Sequence, residues 1–234
     1  MIQQRNPDGI IVVNKPRGFT SHDVVAVVRR KIGMKKVGHA GTLDPIATGV
    51  LVILVGRATR LFDRFLKFDK EYSAVLRLGS RTDSGDSSGS VVEEKPFNHI
   101  SEETAQAAFA RYRGDIMQTP PMFSAVKHKG KRLYRLALQG QEVERQPRPV
   151  RIDDLRIIGF SLPDISFYMR CSKGTYVRQL AEDVARDMGS AGHIIRLERC
   201  AVGPFKIGQA IELDDVDPSR IQPFYESIRS AAND

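Results

Sequence analysis

The chain has 234 residues, 41% of them hydrophobic, which is enough for one large domain or two small ones with a sizeable core. Lys and Arg total 36 against 28 Asp and Glu, so the formal net charge is +8, which suits a polyanionic partner. No apolar signal region opens the chain, the longest apolar run is VLVILV at 50–55, and the two cysteines lack metal or redox spacing, so we expect a cytoplasmic protein that does not enter a membrane.

The first third of the chain alternates apolar runs with turn residues. IIVV at 10–13 is typical of a buried strand, which Pro16 and Gly18 end before a helix begins at Ser21. A second buried strand is predicted at 50–55, followed by a helix over GRATRLFDRFLK. KEYSAVLRLG at 70–79 alternates like a half-buried strand, and RTDSGDSSGS after it predicts a polar loop.

Further along, SEETAQAAFARYRG predicts a capped helix, DLRIIGF and ISFYMRCS a hairpin, and TYVRQLAEDVARDMG an amphipathic helix. HIIRLERCAVGPF ends the regular part, and the last thirty residues predict a short helix and tail. Hairpins and crossovers are mixed irregularly, so we expect an α+β fold with a mixed, mostly antiparallel central sheet flanked by helices. Without an internal repeat or linker, we expect one domain over 1–234 with an inserted arm at about 116–150 and a tail at about 206–234.

The predicted arm concentrates prolines, aromatic residues and cations. KHKGKRLYR at 127–135 and RQPRPVR at 145–151 are both strongly basic. Charge runs are usually solvated faces, but two of them within one arm favour a clamp that follows phosphates. The candidate contacts to an RNA backbone are Lys127, Lys129, Lys131 and Arg132.

The stretch GHAGTLDPIATGVL at 38–51 surrounds a single carboxylate, Asp44, with glycines. Asp44 could cap a helix that begins with Pro45. Without a second carboxylate in the motif, paired-carboxylate chemistry is disfavoured, but one ionised and well-placed aspartate can act as a nucleophile. Gly38 and Gly41 would let a substrate backbone approach closely, and His39 is placed to face a ligand.

Other chemistry is disfavoured by spacing. The five histidines lie far apart and no Walker, Rossmann or zinc-deaminase pattern is present, so we expect no metal site. Two further residues have ordinary interpretations on spacing alone. Tyr72 could be an ordinary aromatic residue of a strand. Arg178 could form an ion pair with Glu182, one turn later on the same helix.

Taken together, these stretches resemble the TruB family of tRNA pseudouridine synthases, which isomerise uridine 55 in the T loop. The resemblance covers most of residues 10–205, and its motifs occur in the family's order. They are NKPRGFTSHD, VGHAGTLDPIATGVL, KEYSAVLRLGSRTDSGD, QTPPMFSAVKHKGKRLYRLALQG, CSKGTYVRQLAEDV and HIIRLER.

The resemblance implies roles for individual residues. It makes Asp44 the nucleophile, Tyr72 the active-site tyrosine that stacks on the extruded uracil, and Arg178 the arginine that pairs with the aspartate. Three further positions match residues that contact the RNA, namely His39, Tyr176 and Leu197. The arm resembles the insertion that grips the T arm, and Lys15 falls in a motif with a structural role.

In the family's reaction the uracil base is detached from the ribose at N1 and rejoined at C5, which needs no cofactor. The target base must be flipped out of a folded RNA loop, which costs a few kcal/mol, and stacking on an aromatic ring offsets much of that. Attack of Asp44 on the uracil ring, attack on the ribose and assistance of glycal formation all fit the residues. The implied partner is tRNA, which is recognised through its T arm and T loop. The resemblance also implies that the protein is a monomer and does not bind a membrane.

Many family members add a C-terminal RNA-binding domain of the PUA type, whereas this sequence ends at Asp234. We therefore expect either a short form or a truncated chain. Two other functions fit the basic arm and the net charge. The first is a non-catalytic RNA-binding or RNA-folding module, and the second is a related synthase that acts on another RNA.

Overall fold

The computed structural model of the chain describes residues 8–224. The chain divides into two compact units, of which the first is Met1–Tyr72 with Leu197–Asp234 and the second is Ser73–Arg196. Whether the chain acts as a single catalytic domain over 1–234 stays a prediction.

The described residues contain fourteen strands and five α-helices. The strands are β1 (Gly9–Lys15), β2 (Val37–Ala40), β3 (Thr48–Val55), β4 (Lys70–Leu78), β5 (Ser80–Thr82), β6 (Val91–Glu94), β7 (Gly114–Gln118), β8 (Lys127–His128), β9 (Lys131–Arg132), β10 (Arg148–Ser161), β11 (Asp164–Cys171), β12 (Gly192–Val202), β13 (Phe205–Lys206) and β14 (Ile211–Glu212). The helices are α1 (Ser21–Ile32), α2 (Phe62–Leu66), α3 (Glu102–Ala110), α4 (Leu133–Ala137) and α5 (Val177–Asp187).

Helix α1 begins and ends where its sequence predicts. Thr20 accepts a hydrogen bond from the Asp23 amide, and the Asp23 carboxylate accepts one from the Thr20 amide, which forms a capping box. The helix ends at Gly33, whose φ of 67° lies in the left-handed region. Its apolar face, which includes Val24 and Val28, packs against one face of the first unit's sheet.

Strand β3 is the centre of the sheet in the first unit, where the strands follow the order β14, β1, β3, β12. It pairs with β1 over 49–55, with β2 on its other edge over 52–55, and in parallel with β12 at Thr48 and Gly49. Its side chains alternate between two hydrophobic clusters: Leu51 and Ile53 face α1, whereas Val52 and Leu54 face the aromatic rings around Phe65. Burial on both faces explains the continuous apolar run at 50–55.

The second unit, Ser73–Arg196, contains both strands and helices. Its strands include β4, β11, β10 and β7 in that order, and β10 and β11 form the predicted antiparallel hairpin. Helix α3 packs on this sheet, with Phe109 in edge-to-face contact with Phe167 at 5.3 Å between ring centroids. Helix α5 buries Val177, Leu180 and Val184, as its spacing predicts.

The predicted fold class is confirmed. The β1–β14 and β3–β12 pairs are parallel, whereas β1–β3, β2–β3, β7–β10, β10–β11 and β12–β13 are antiparallel. Within residues 8–224, no helix combines the length and apolar character that crossing a bilayer requires.

Two local expectations need correction. The predicted polar loop after Gly79 begins as strand β5, which pairs with β6, and it buries Thr82 and Asp86. In the C-terminal segment the described part forms β13, β14 and short 3-10 turns, since β14 adds to the edge of β1. The rest of the predicted helix and tail, at 225–234, lies outside the described residues.

The central position of β3 predicts a large difference between two isoleucine truncations. Ile53 is fully buried and Ile158, on β10, is 56% exposed. Ile53→Ala should lower the free energy of unfolding by about 2–5 kcal/mol, because it leaves a cavity, whereas Ile158→Ala should cost much less. Urea denaturation of the two variants checks this, and equal losses would contradict the central role of β3.

Candidate active site

Asp44 lies in the loop between β2 and β3 in the first unit, and it is half-buried. After Pro45 the chain makes one turn, in which the Ala47 amide donates to the Asp44 carbonyl at 3.0 Å, and strand β3 begins at Thr48. The alternative in which Asp44 caps a helix is therefore wrong, because pairing with β1 and β12 draws the chain into the sheet. The carboxylate instead belongs to a short loop on a rigid strand.

Arg199, on β12, holds both ends of this loop. Its Nε donates to the Val50 carbonyl at 2.8 Å, its Nη1 to the Thr42 carbonyl at 3.3 Å and its Nη2 to the Gly41 carbonyl at 3.1 Å. The side chain is buried, with 1% of the residue exposed. One guanidinium thus ties the segment before Asp44 to the strand after it.

Two more contacts complete the support of the loop backbone. The Leu43 amide donates to Ser21 Oγ at 2.8 Å, and Ser21 Oγ in turn donates to the Leu43 carbonyl at 3.2 Å. The Gly18 amide donates to the Pro45 carbonyl at 2.8 Å. With the Arg199 bonds and the Ala47 turn, each backbone carbonyl from 41 to 45 accepts a hydrogen bond, so the position of Asp44 is closely defined.

Glycine is required at two positions of the loop for conformational reasons. Gly41 has a φ of +89° and Gly49 a φ of +101°, which side chains rarely adopt. A Cβ at Gly49 would lie 2.3 Å from the Arg199 carbonyl oxygen, so the two backbones could not pack as they do. The close approach of a substrate at Gly38 and Gly41 stays a prediction.

Lys15 is a second buried cation in the same unit. Its Nζ donates to the carbonyls of Pro16 at 2.9 Å and Phe19 at 2.6 Å, which supports the structural role implied for its motif. Burial lowers the pKa of Lys15 to about 8, against the opposing influence of the Asp44 carboxylate. The charges of Lys15 and Asp44 are therefore close enough to interact.

His39 lies on β2, just before the loop. Its ring meets that of His22 edge to face at 5.2 Å between centroids, and within residues 8–224 its buried Nδ1 has no hydrogen-bond partner. Burial lowers the pKa of His39 to about 4, assisted by the nearby His22 and Arg199. His39 is therefore neutral near pH 7, with a polar atom that the described protein groups leave unsatisfied.

Two other predicted residues belong to the first unit. Tyr72 lies on the buried face of β4 and is 9% exposed, and Leu197 lies on β12 and is 5% exposed. Asp44, His39, Tyr72 and Leu197 are thus carried by one unit, on β2, β4, β12 and the loop before β3.

The second unit carries Arg178, on α5. Its Nη2 donates to the Phe123 carbonyl at 2.9 Å, its Nη1 donates to the Ser84 carbonyl, and its Nε lies 3.8 Å from Asp86 Oδ2. The proposed pairing with Glu182 is not the one observed, because Glu182 pairs with Arg81 at 3.4 Å. Arg178 therefore links α5 to both the loop after β5 and the arm.

Tyr176 precedes α5 and is joined to the base of the arm. Its amide donates to Gln118 Oε1 at 2.8 Å, and Gln118 Nε2 donates to its carbonyl at 3.1 Å. Gln118 is the last residue of β7 and pairs with Arg148 of β10, so both ends of the arm are fixed in the second unit's sheet.

The tip of the arm is a two-residue hairpin. Strands β8 and β9 pair around Lys129 and Gly130, whose positive φ values of 46° and 84° are those a tight turn of this kind requires. The four predicted backbone contacts, Lys127, Lys129, Lys131 and Arg132, are all exposed on this hairpin. Within residues 8–224, none of its three lysines forms an ion pair.

A cleft of about 780 Å³ lies within the second unit. Arm residues such as Phe123 and Arg145 line one part of it, and Arg81, Arg178 and Arg186 line another. The same cleft is lined by four carboxylates, those of Asp83, Glu142, Glu182 and Asp183, which balance the charge of its arginines. In the part of the chain that the structure describes, no three His, Cys, Asp or Glu side chains are grouped to hold a metal ion.

Sequence reasoning missed Arg199, Ser21 and Asp86 as parts of the site. Arg199 had one available signal, since it is the last residue of the HIIRLER motif and is followed in its strand by Ala201 and Val202. Ser21 was interpreted only as the start of α1, and Asp86 only as part of a polar loop. Their roles depend on contacts with residues distant in sequence.

Comparison of the sequence with known proteins identifies the family to which the chain belongs. Residues 29–177 match the model of the TruB family pseudouridylate synthase (N terminal domain). The chain is 43% identical to tRNA pseudouridine synthase B of Opitutus terrae over 98% of its own length and 99% of that protein. It is 49% identical to tRNA pseudouridine synthase B of Geotalea uraniireducens over 89% of its length and 67% of that protein.

Solved structures agree in fold. A chain in the crystal structure of a Cbf5-Nop10-Gar1 complex superposes with a TM-score of 0.73 at 28% identity over 92% of this chain. This chain spans only 60% of that one. With a family match over more than half of the sequence and close relatives over nearly all of it, this chain belongs to the TruB family of pseudouridine synthases.

Proposed function

We propose that this pseudouridine synthase acts on tRNA and isomerises uridine 55 of the T loop. The observation that carries the proposal is the 43% identity, over nearly the full length of both chains, to a relative named tRNA pseudouridine synthase B. The basic arm hairpin and the net charge of +8 are suited to a folded RNA. The enzyme would work in the cytoplasm, as a monomer and without a cofactor.

A subunit of an RNA–protein complex is the competing assignment, because similar solved chains come from an H/ACA RNP bound to a substrate RNA and from an archaeal box H/ACA sRNP Nop10-Cbf5 complex. Their identity to this chain is 26–27%, well below the 43–49% shared with the proteins named for tRNA. We therefore favour tRNA over the substrate RNA of an H/ACA complex.

In the proposed reaction the uridine is flipped out of the T loop and Asp44 attacks. The half-buried carboxylate on a closely defined loop fits a nucleophile, since catalysis needs the reacting atom held at short range. Attack on the uracil ring, attack on the ribose and assisted glycal formation all use this carboxylate. The N1–C1′ glycosidic bond breaks, the base turns and C5 bonds to C1′. The proton on C5 leaves and N1 gains one, so the atomic composition of the RNA does not change.

The remaining residues would bind and orient the nucleotide. We assign Tyr72 to stacking on the flipped uracil and to proton removal, and Arg178 to pairing with Asp44, as the family resemblance implies. His39, Tyr176 and Leu197 would contact the nucleotides around the target. His39 would make its contact as a neutral imidazole, because burial lowers its pKa to about 4.

The proposed domain organisation follows from these assignments. One catalytic domain over 1–234 would contain the inserted arm at about 116–150, which grips the T arm of the tRNA, and the tail at about 206–234. The pairing of β7 with β10 at the arm's base supports this function, because it holds the arm firmly while its tip stays exposed.

Replacing the nucleophile tests the reaction directly. With T-arm RNA tritiated at uridine C5, the wild type should release tritium to water and Asp44→Asn should release none, because the amide is a far weaker nucleophile. Asp63→Asn, the same change at an exposed position on α2, should release tritium like the wild type. Turnover by Asp44→Asn would exclude the nucleophile assignment, and an inactive wild type would favour a non-catalytic RNA-binding module.

The arm hairpin should govern the salt dependence of RNA binding. Changing its four exposed cations to glutamine should weaken T-arm RNA binding and lower the slope of log Kd against log salt, by roughly 0.7–0.9 for each phosphate that the variant no longer neutralises. The control changes four cations outside the arm, namely Lys95, Arg111, Arg156 and Arg170. Equal salt slopes for the wild type and the arm variant would show that the hairpin does not contact phosphates.

The buried His39 should make stability depend on pH. Its pKa of about 4 in the folded protein lies below the ordinary 6.5, so between these values the unfolded chain binds a proton that the folded chain does not. Stability from this group is complete above pH 6.5 and is lost as the pH falls towards 4. The free energy of unfolding of the wild type should fall relative to His39→Gln by about 3 kcal/mol over this range. Urea denaturation at several pH values measures it, and a constant difference would contradict the burial of a neutral imidazole.

A further inference from the structure

Arg199 is a buried cation that forms no ion pair within residues 8–224. A buried guanidinium is costly unless its N–H groups are satisfied, and here the acceptors are three backbone carbonyls. Two of the three belong to the loop that carries Asp44, and the third belongs to the strand that follows it. The arginine side chain is therefore committed to holding this loop.

The three carbonyls lie on both sides of Asp44. Gly41 and Thr42 precede it, and Val50 follows it, so the guanidinium joins the two stems of the loop. The backbone of Arg199 adds to this, because it pairs with Gly49 and packs so closely that a Cβ at Gly49 would lie 2.3 Å from its carbonyl oxygen. Movement of Arg199 would shift both stems.

The chemistry of the side chain fits this position. Nη1 and Nη2 donate to successive carbonyls, of Thr42 and Gly41, while Nε donates in a different direction to Val50. A planar fork can make these three bonds at once, whereas a lysine ammonium in the same place cannot reproduce the spacing. The positive charge also remains close to the site, since it lowers the pKa of His39.

We propose that Arg199 is a positioning residue for the isomerisation, which sets the location of the Asp44 carboxylate by clamping the carbonyls of Gly41, Thr42 and Val50. This role rests on the proposed function, in which Asp44 is the nucleophile. It does not require Arg199 to touch the RNA. Loss of the clamp should slow the chemical step and leave RNA binding intact.

The test compares Arg199→Lys and Arg199→Met with the wild type in single-turnover tritium release at saturating T-arm RNA. Small displacements of a reacting group cost up to roughly 100-fold in rate, so we expect a loss of that order for Arg199→Met and a smaller one for Arg199→Lys. The Kd for the RNA should stay unchanged. The control is Arg113→Met, which removes an arginine bond to the Leu155 carbonyl at 2.8 Å in the second unit and should keep the wild-type rate.

Amide hydrogen exchange separates positioning from general stability. In Arg199→Lys, peptides covering residues 42–48 should exchange faster, while those covering 10–13 of β1 should stay protected. If exchange rises equally in both, Arg199 supports the whole unit and the positioning role is wrong. Because lysine keeps the buried charge, this variant decides the question even if Arg199→Met does not fold.

The outcomes also separate the two proposals. An active wild type with a fully active Arg199→Lys would overturn the positioning role alone. A wild type that releases no tritium, or an active Asp44→Asn, would overturn the proposed function and the positioning role together.

Discussion

The first unit depends on satisfying buried cations with backbone carbonyls. Lys15 donates to Pro16 and Phe19, and Arg199 donates to the loop around Asp44. A buried charge without such partners would destabilise the fold, so the carbonyls must stay where the cations need them. The conformation of the loop around Asp44 is therefore coupled to the stability of the fold.

Strand β3 gives this loop a rigid support. Its apolar side chains are divided between two hydrophobic clusters, and both of its edges are paired. A short loop that leads directly into such a strand has few alternative conformations, because the position of its end is fixed by the strand. Asp44 thus combines partial solvent access with a backbone whose hydrogen bonds are satisfied.

The sequence predicted features that depend on local pattern. The capping box of α1, the buried strand at 50–55 and the hairpin of β10 and β11 each have a periodicity or turn signal within a few residues. Asp44 was chosen as a candidate because glycines and a proline surround it. These signals are short-range, which is why the structure agrees with them.

Features that depend on distant residues were missed. The same Asp-Pro pair that can begin a helix here precedes a strand, because pairing with β1 and β12 overrides the local signal. Arg199 ends the HIIRLER motif, but its contacts with the loop could be recognised only by knowing that β12 lies beside β3. Asp86 likewise looked like a loop residue until its contact with Arg178 was known.

The β7–β10 ladder has a consequence for how the family can diversify. Because Gln118 and Arg148 are paired, the ends of the arm remain together whatever sequence connects them. Lengthening a loop whose ends are already closed adds little entropic cost, about 0.6 kcal/mol for each doubling. Evolution could therefore exchange or extend the arm to suit a different RNA without disturbing the sheet from which it emerges.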